Sequence, residues 1–389
     1  RDPSSDMPAS QFNMKDVEKA GLVKFDFLGL RNLTIIKDAI DFIKETEGLE
    51  LDPLKFPLDD KKTYQMLARA DNTAVFQLES GGMRDLCRKM NVRNFDEIAA
   101  IIALYRPGPM ENIPLYLENI KNRDNITYMH PLLEPILKDT YGVMIYQEQV
   151  LEAARNLAGY SLGSADLLRR AMGKKIKEEM DQQKDIFIKG CVDTNNIDAK
   201  LAEDIFDMIA KFASYGFNKA HTYCYAAIAF QTAYLKANYP VEFMAATMTH
   251  EMTNTDKLAL IKQELPDMNI TLLMPDINKS QPLFSVERLP NGEKAIRYAL
   301  AGLKGVGAKA MESVVEEREK GGEFKDLYDF AQRVDSSVIN KKQFESLAKA
   351  GAFDSLNDNR SQVLASCEML LKYAHAIDDE NKSAQNSLF

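Results

Sequence analysis

The 389-residue sequence predicts a mainly α-helical protein, with a short strand near its start and a small pair of helix–turn–helix units near its end. Three observations predict it. Apolar residues recur at three- or four-residue spacing through most of the chain, the period of a helix with one buried face. These segments stop at proline or at glycine, where helices end. A strand is the better reading only for GLVKFDFLGL (21–30) and, briefly, for GVMIY (142–146).

GLVKFDFLGL comes first. As a strand it rises ~3.3 Å per residue and alternates faces, so Lys24 and Asp26 share a face roughly 7 Å apart on an otherwise apolar segment. Charges there are costly unless paired, hydrated or bound to metal. Two readings of Asp26 stand: an ion pair with Lys24, or a ligand for Mg²⁺, which takes hard oxygen donors. Two-metal phosphoryl transfer needs further carboxylates. The rest of the sequence offers no apolar-flanked Asp-x-Asp.

Next, LRNLTIIKDAIDFIKETEGL carries Leu33, Ile36, Ile40 and Ile43 on one helical face, and DPLKFPLDD is a proline-rich joint. FDEIAAIIALY (95–105) reads as an apolar helix stopped by Arg106-Pro107-Gly108-Pro109. GVMIYQEQVLEAARNLAGYS reads as a short strand running into a helix. Ser164 is placed to cap ADLLRRAM, with Gly173 interrupting it. KEEMDQQKDIFIKG continues as a charged helix, and KAHTYCYAAIAFQTAYLKANYP is a long helix ending before Pro240. LLMPDINKSQPLF (272–284) marks a boundary. Beyond it, IRYALAGLKGVGAKAMESVVEERE leads into two more short helices up to about residue 374, and HAIDDENKSAQNSLF is a polar tail with the composition of a flexible segment.

Composition narrows the function. Forty-five per cent hydrophobic and 28% charged residues suit a soluble globular chain. No apolar run reaches the ~18–20 residues of a membrane span. Four scattered cysteines without CxxC spacing point to reduced thiols in the cytoplasm, not to a zinc site. A net charge of −9 limits nucleic-acid contact to local basic patches. The opening RDPSSDMPAS has no initiator Met, so the chain reads as a piece of a longer protein.

Three basic constellations remain. In GLKGVGAKA (302–310), Gly305 and Gly307 shape a tight turn before a helix, with Lys304 and Lys309 beside it. Such a turn lets phosphate approach backbone N–H groups, as in a helix-hairpin-helix that grips DNA backbone without reading bases. NKKQFESLAKAGAFDSL (340–356) resembles its second half. An ordinary glycine turn is the alternative. DLLRRAMGKKIK (166–177) sets Arg169, Arg170 and Lys174 on a helix, either as a solvated basic face or as a clamp on a triphosphate. YGFNKAHTYCYA (215–226) brings Asn218, Lys219 and His221 to a helix start that could face a nucleotide, though a structural histidine is the commoner case.

Together GLVKFDFLGLRNLTII, VFQLESGGMRDL, FDEIAAIIALYRPGPM, YGVMIYQEQV, LRRAMGKK, YGFNKAHTYCYA, YPVEFMAA and GLKGVG resemble the alpha subunits of bacterial replicative DNA polymerase III, the C family of DNA polymerases. YRPGPM with YGVMIYQEQV is closer to the replicative branch than to the error-prone paralogue. The resemblance implies a DNA-directed DNA polymerase fragment. Residues 1–31 would end the palm, 32–275 form the fingers, 276–375 the helix-hairpin-helix region, and 376–389 a flexible linker with a clamp-binding peptide.

By the same resemblance Asp26 would be the third palm aspartate, holding Mg²⁺, with Lys24 beside it. Arg169 and Arg170 would bind the triphosphate with Lys174 and Arg106. Asn218, Lys219 and His221 would line the nucleotide pocket. Lys304, Gly305, Gly307 and Lys309 would hold duplex DNA. QNSLF, with Gln385, Leu388 and Phe389, resembles the sliding-clamp peptide. Primer-template DNA, deoxynucleoside triphosphates, the clamp and other replicase subunits are the implied partners. A fragment with one palm carboxylate should bind DNA in a salt-dependent way without extending primers. A non-catalytic DNA-binding module and a purely structural helical protein are the rival classes.

Overall fold

The structure, a computed structural model, describes residues 9–13, 16–23, 25, 29–174, 177–213 and 216–386. Among these are eighteen α-helices and one three-stranded sheet. The chain is mainly α, as its periodicity predicts. The helices of the first part are α1 (Asp16–Lys19), α2 (Arg31–Glu47), α3 (Lys61–Ala68), α4 (Gly81–Met90), α5 (Phe95–Leu104), α6 (Ile113–Lys121) and α7 (Glu134–Leu137). Then follow α8 (Gln147–Ala158), α9 (Leu162–Lys174), α10 (Lys177–Asn195), α11 (Ala199–Ala213), α12 (Lys219–Asn238), α13 (Pro240–His250) and α14 (Thr255–Glu264). The sheet, β1 (Thr271–Leu273), β2 (Ser285–Arg288) and β3 (Lys294–Arg297), precedes α15 (Ala308–Gly321), α16 (Leu327–Arg333), α17 (Lys341–Ala350) and α18 (Arg360–Asn386).

Local chemistry starts and ends these helices. Asp60, Ser80, Asn94, Asn218, Asn254 and Asn340 each accept a backbone N–H of the first turn that would otherwise lack a partner. Gly48, Gly159 and Gly351 close α2, α8 and α17 in the left-handed conformation. The first core is organised around α12, which packs on α2, α3, α5 and α13. Its Ala226, Ala229 and Ala233 are wholly buried, and small residues let these helices approach closely. A second core joins Ile277 and Leu300 to Met311, Val314, Phe330, Phe344, Leu347, Phe353 and Leu370.

The sheet runs β1-β3-β2, with β1 parallel and β2 antiparallel to β3. In register, Leu272 faces Ile296 and Val286 faces Ile296 from the other side. Lys294 ties the sheet to Glu47 of α2 (2.8 Å) and to the buried Glu242 of α13 (2.6 Å).

Several expectations are corrected. Leu22, Val23 and Phe25 belong to no strand and are 54%, 75% and 74% exposed. A strand needs a neighbour to pair its backbone, and among the described residues no named strand precedes Thr271. Lys24 and Asp26 lie outside the described residues. The cap of α9 is Ser161 and not Ser164: its Oγ accepts the Ser164 N–H at 3.1 Å. The helix passes through Gly173, because one interior glycine costs only about 1 kcal/mol relative to alanine. The long helix does end before Pro240, at Asn238, and Pro240 itself opens α13, where its missing N–H is not required.

The sheet was not anticipated, although Asn291-Gly292 is a hairpin signal and Gly292 has φ +84°. The residues before Gly305 form turns rather than a helix. Finally α18 continues to Asn386 where a flexible tail was expected, since Ala, Glu, Asp and Lys sustain a helix once Ala374 and Leu370 anchor it.

Candidate functional site

Two distant segments meet at the starts of α8 and α12. The Phe217 N–H donates to the Ile145 carbonyl (3.2 Å), and the Gln147 N–H donates to the Phe217 carbonyl (2.9 Å). This isolated parallel bridge sets the two helix N-termini side by side. Glu148, in the first turn of α8, then serves the start of α12. It accepts from Asn218 Nδ2 and from the Lys219 N–H, both at 2.9 Å. Asn218 Oδ1 caps the helix by accepting the His221 N–H at 2.8 Å. The N-terminal charge of α12 is thus partly met by a carboxylate.

Around this junction runs a row of rings. The Arg106 guanidinium lies 4.2 Å from the centre of the Phe217 ring, with its Nε donating to the Ala103 carbonyl at 3.0 Å. Phe217 meets His221 (5.2 Å), His221 meets Tyr225 (4.5 Å), and Tyr225 meets Phe76 (5.6 Å). The Lys219 ammonium sits 5.6 Å and 5.4 Å from the Tyr146 and Tyr223 rings. Cation–ring contacts of this kind contribute about 0.5–2 kcal/mol each and hold the cation's direction. Burial lowers the Arg106 pKa from its usual value, yet guanidinium stays charged. Burial, then Tyr223 and Asp96 nearby, hold the Tyr146 phenol far above its usual range. The Tyr223 hydroxyl donates to Asp96.

Phe76 is also a wall of a cleft of about 410 Å³, lined with Asn32, Gln77, Glu79, Ser80 and Tyr105. Tyr105 adjoins Arg106, so cleft and ring row are neighbours. Its ring lies across Gly82: a Cβ there would fall 1.6 Å from the Tyr105 hydroxyl oxygen, so any larger residue would push the ring aside. Asn32 brings the start of α2, just after the GLVKFDFLGL segment, to the same cleft. The loop supplying Phe76 to Glu79 holds Ala74 and Gln77 at φ +66° and +62°.

The α9 arginines are arranged differently. Asp166 accepts Arg169 Nη2 at 2.8 Å and Arg170 Nε at 2.8 Å, both within the helix. The hydrogen bond from Arg169, then the two guanidinium charges, hold the Asp166 carboxyl below its usual range. The backbone at Lys174 is helical; its side chain lies outside the described residues. Arg106, Asn218, Lys219 and His221 are therefore brought together, and Arg169 and Arg170 keep their ion pairs to their own helix.

At the hairpin, Gly305 has φ +84°, which only glycine adopts freely. A Cβ on it would lie 3.5 Å from Lys342 Cε, and one on Gly307 3.5 Å from Gln343 Nε2. The turn thus sits on the first turn of α17, with Lys304 and Lys309 exposed beside it. Among the described residues no group of three His, Cys, Asp or Glu side chains could hold a metal ion. Leu388 and Phe389, expected from the sequence to meet a clamp, lie outside the described residues, as does the Gln385 side chain.

Known proteins supply the context. A family profile described as the bacterial DNA polymerase III alpha subunit finger domain matches residues 32–195. A helix-hairpin-helix motif profile matches residues 269–363. DNA polymerase III subunit alpha of Caulobacter vibrioides is 51% identical over 389 residues, all of this chain and 33% of that protein. Those of Rickettsia bellii (47% over 409 residues, 100% of this chain, 35% of that protein) and Neisseria meningitidis serogroup B (47% over 380, 98% and 32%) are similar. The chain matches a fragment of a DNA polymerase III alpha subunit. It spans about a third of the length of these curated relatives. Among the described residues no helix is long and apolar enough to cross a membrane.

Sequence reasoning missed Glu148, Phe217, Tyr223, Phe76 and Tyr105. One signal was available: Phe217, His221 and Tyr225 are spaced by four, which places rings on one face at a helix start. Glu148 carries no such mark, because its partners lie 70 residues away.

Proposed function

We propose that the intact protein is a replicative DNA polymerase in which this chain supplies the fingers (32–275) and the helix-hairpin-helix region (276–375). The 3′-oxygen of a primer attacks the alpha-phosphorus of a deoxynucleoside triphosphate in line. The new P–O bond forms as the bond to pyrophosphate breaks, and the hydroxyl proton leaves to solvent. Such catalysis rests on positioning and charge stabilisation. Arg106 and Lys219 receive phosphate charge, and the His221 face stands near the sugar and base. Arg169, Arg170 and Lys174 are the proposal's second set of phosphate contacts.

The observation that carries this reading is the Arg106–Phe217–His221–Tyr225–Phe76 row, which fixes a half-buried cation next to aromatic faces and a cleft. Mg²⁺, with Asp26 as its ligand and Lys24 beside it, belongs to the same proposal and would supply neutralisation of phosphate charge. Lys304, Gly305, Gly307 and Lys309 contact the backbone of primer-template DNA, and Gln385, Leu388 and Phe389 meet a sliding clamp. The other replicase subunits and the cytoplasm complete the setting.

The test is a fluorescence titration of this chain with the N-methylanthraniloyl ester of dATP. Arg106→Ala should weaken binding about tenfold, or about 1.4 kcal/mol. Equal affinity of the variant and the unaltered chain would remove the reading.

A further inference from the structure

Lys236 is buried in α12, 2% exposed, between residues that are otherwise apolar. A methionine would fill the same space without the desolvation of an ammonium, so what its charge does must lie in its contacts. All three donors are used: the Asp71 carbonyl at 2.8 Å, the Thr73 carbonyl at 2.9 Å and Glu264 Oε1 at 2.5 Å. One turn earlier, Thr232 Oγ1 accepts the Phe76 N–H at 3.1 Å. Both residues of α12 therefore hold a single loop, Asp71–Glu79, by its main chain.

That loop would not keep this shape unaided. Ala74 and Gln77 within it, and Ala70 just before it, have left-handed φ, a conformation that side chains with a Cβ disfavour and that persists only where surroundings over-determine it. The loop delivers Phe76 to the ring row and Gln77 and Glu79 to the cleft. Helix α14 reaches both of its ends, through Glu264 on Lys236 and through Lys257, 4.0 Å from Glu79.

We propose that Lys236 is a positioning residue for the incoming nucleotide, its ammonium shaping the Asp71–Glu79 loop and hence the cleft wall, with Glu264 and Thr232 as its supports. The proposal rests on the nucleotide reading above and deepens it. Burial lowers the Lys236 pKa and the Glu264 carboxylate opposes that, which keeps the donors in place.

Hydrogen exchange and the same dATP ester separate the two readings. The Val75 and Leu78 amides, bonded to the Asn72 and Val75 carbonyls at 3.0 and 3.1 Å, report on the loop. In Lys236→Met they should exchange about tenfold faster, with ester affinity down about tenfold and α2 amides unchanged. Glu264→Gln, which leaves both carbonyl contacts, should lose less than about threefold. If Lys236→Met does not fold, Thr232→Val must show the same paired effect on a smaller scale. Unchanged exchange overturns the clamp. Faster exchange with full affinity overturns the positioning role and leaves a structural lysine. An unaltered chain that fails to bind the ester sinks the nucleotide reading, and this proposal with it.

Discussion

The start of α12 and the basic face of α9 both look, in sequence, like receptors for phosphate, yet they are built in opposite ways. At α12 the cations are held across segments, Arg106 by Phe217 and Lys219 by Tyr146, with Tyr223 of its own helix beside Lys219 as well. On α9 the cations are held by a near neighbour, since Asp166 takes both Arg169 and Arg170. The first arrangement is oriented before any ligand arrives. In the second an anion must compete with Asp166, and an exposed ion pair of this sort is weak and screened by salt. Two basic clusters of similar sequence strength thus differ in preorganisation, which is what lowers the cost of binding.

The largest expected effect comes from a charge-preserving change at each site. Arg106→Lys keeps the charge and loses the planar group that lies on Phe217. It should reduce affinity for the dATP ester about fivefold, less than removing the charge as well, while Arg170→Lys changes it by less than about twofold. Equal losses at both positions, measured by the same titration, would erase the distinction between a stacked and a locally paired cation.

How much of this could be read beforehand follows the same divide. Helices α2, α5 and α12 were legible because their apolar spacing and their stops at Gly48, Pro107 and Pro240 are local. So were Asn218, Lys219 and His221, which one helix start brings together. The partners that give them direction were not. The bridge between Tyr146 and Phe217 is what brings Glu148 to Asn218 and Lys219, and Asp96 reaches Tyr223 across 127 positions of sequence. The sheet was overlooked because β1 has three residues and pairs in parallel with a strand more than twenty residues on. Leu22, Val23 and Phe25 show the converse: alternation makes residues ready to pair, and only neighbouring strands put them in a strand.

A smaller effect, opposite in sign, is expected at Glu148. Glu148→Gln keeps an acceptor for Asn218 or for the Lys219 N–H and removes one negative charge from the mouth of the α12 site. Affinity for the triphosphate ester should rise about threefold, and the melting temperature should fall as the charged cap is lost, by roughly 1 kcal/mol of stability. A fall in affinity would mean that Glu148 orients the site more than its charge opposes an anion.

The smallest effect belongs to α9. Asp166→Asn leaves both arginines without their carboxylate, so affinity for the ester should rise by no more than about twofold and become more sensitive to salt. The pH dependence has a definite sign. The hydrogen bond from Arg169 holds Asp166 below its usual 3.8, so its contribution to stability is fully present above that value and is lost as pH falls through the lower folded value. Melting curves of Asp166→Asn and the unaltered chain should therefore keep a constant small offset from pH 7 to about pH 4 and converge below it. An offset that vanished nearer neutrality would show that the arginines do not grip Asp166 in solution, and the contrast between the two helices would lose its second member.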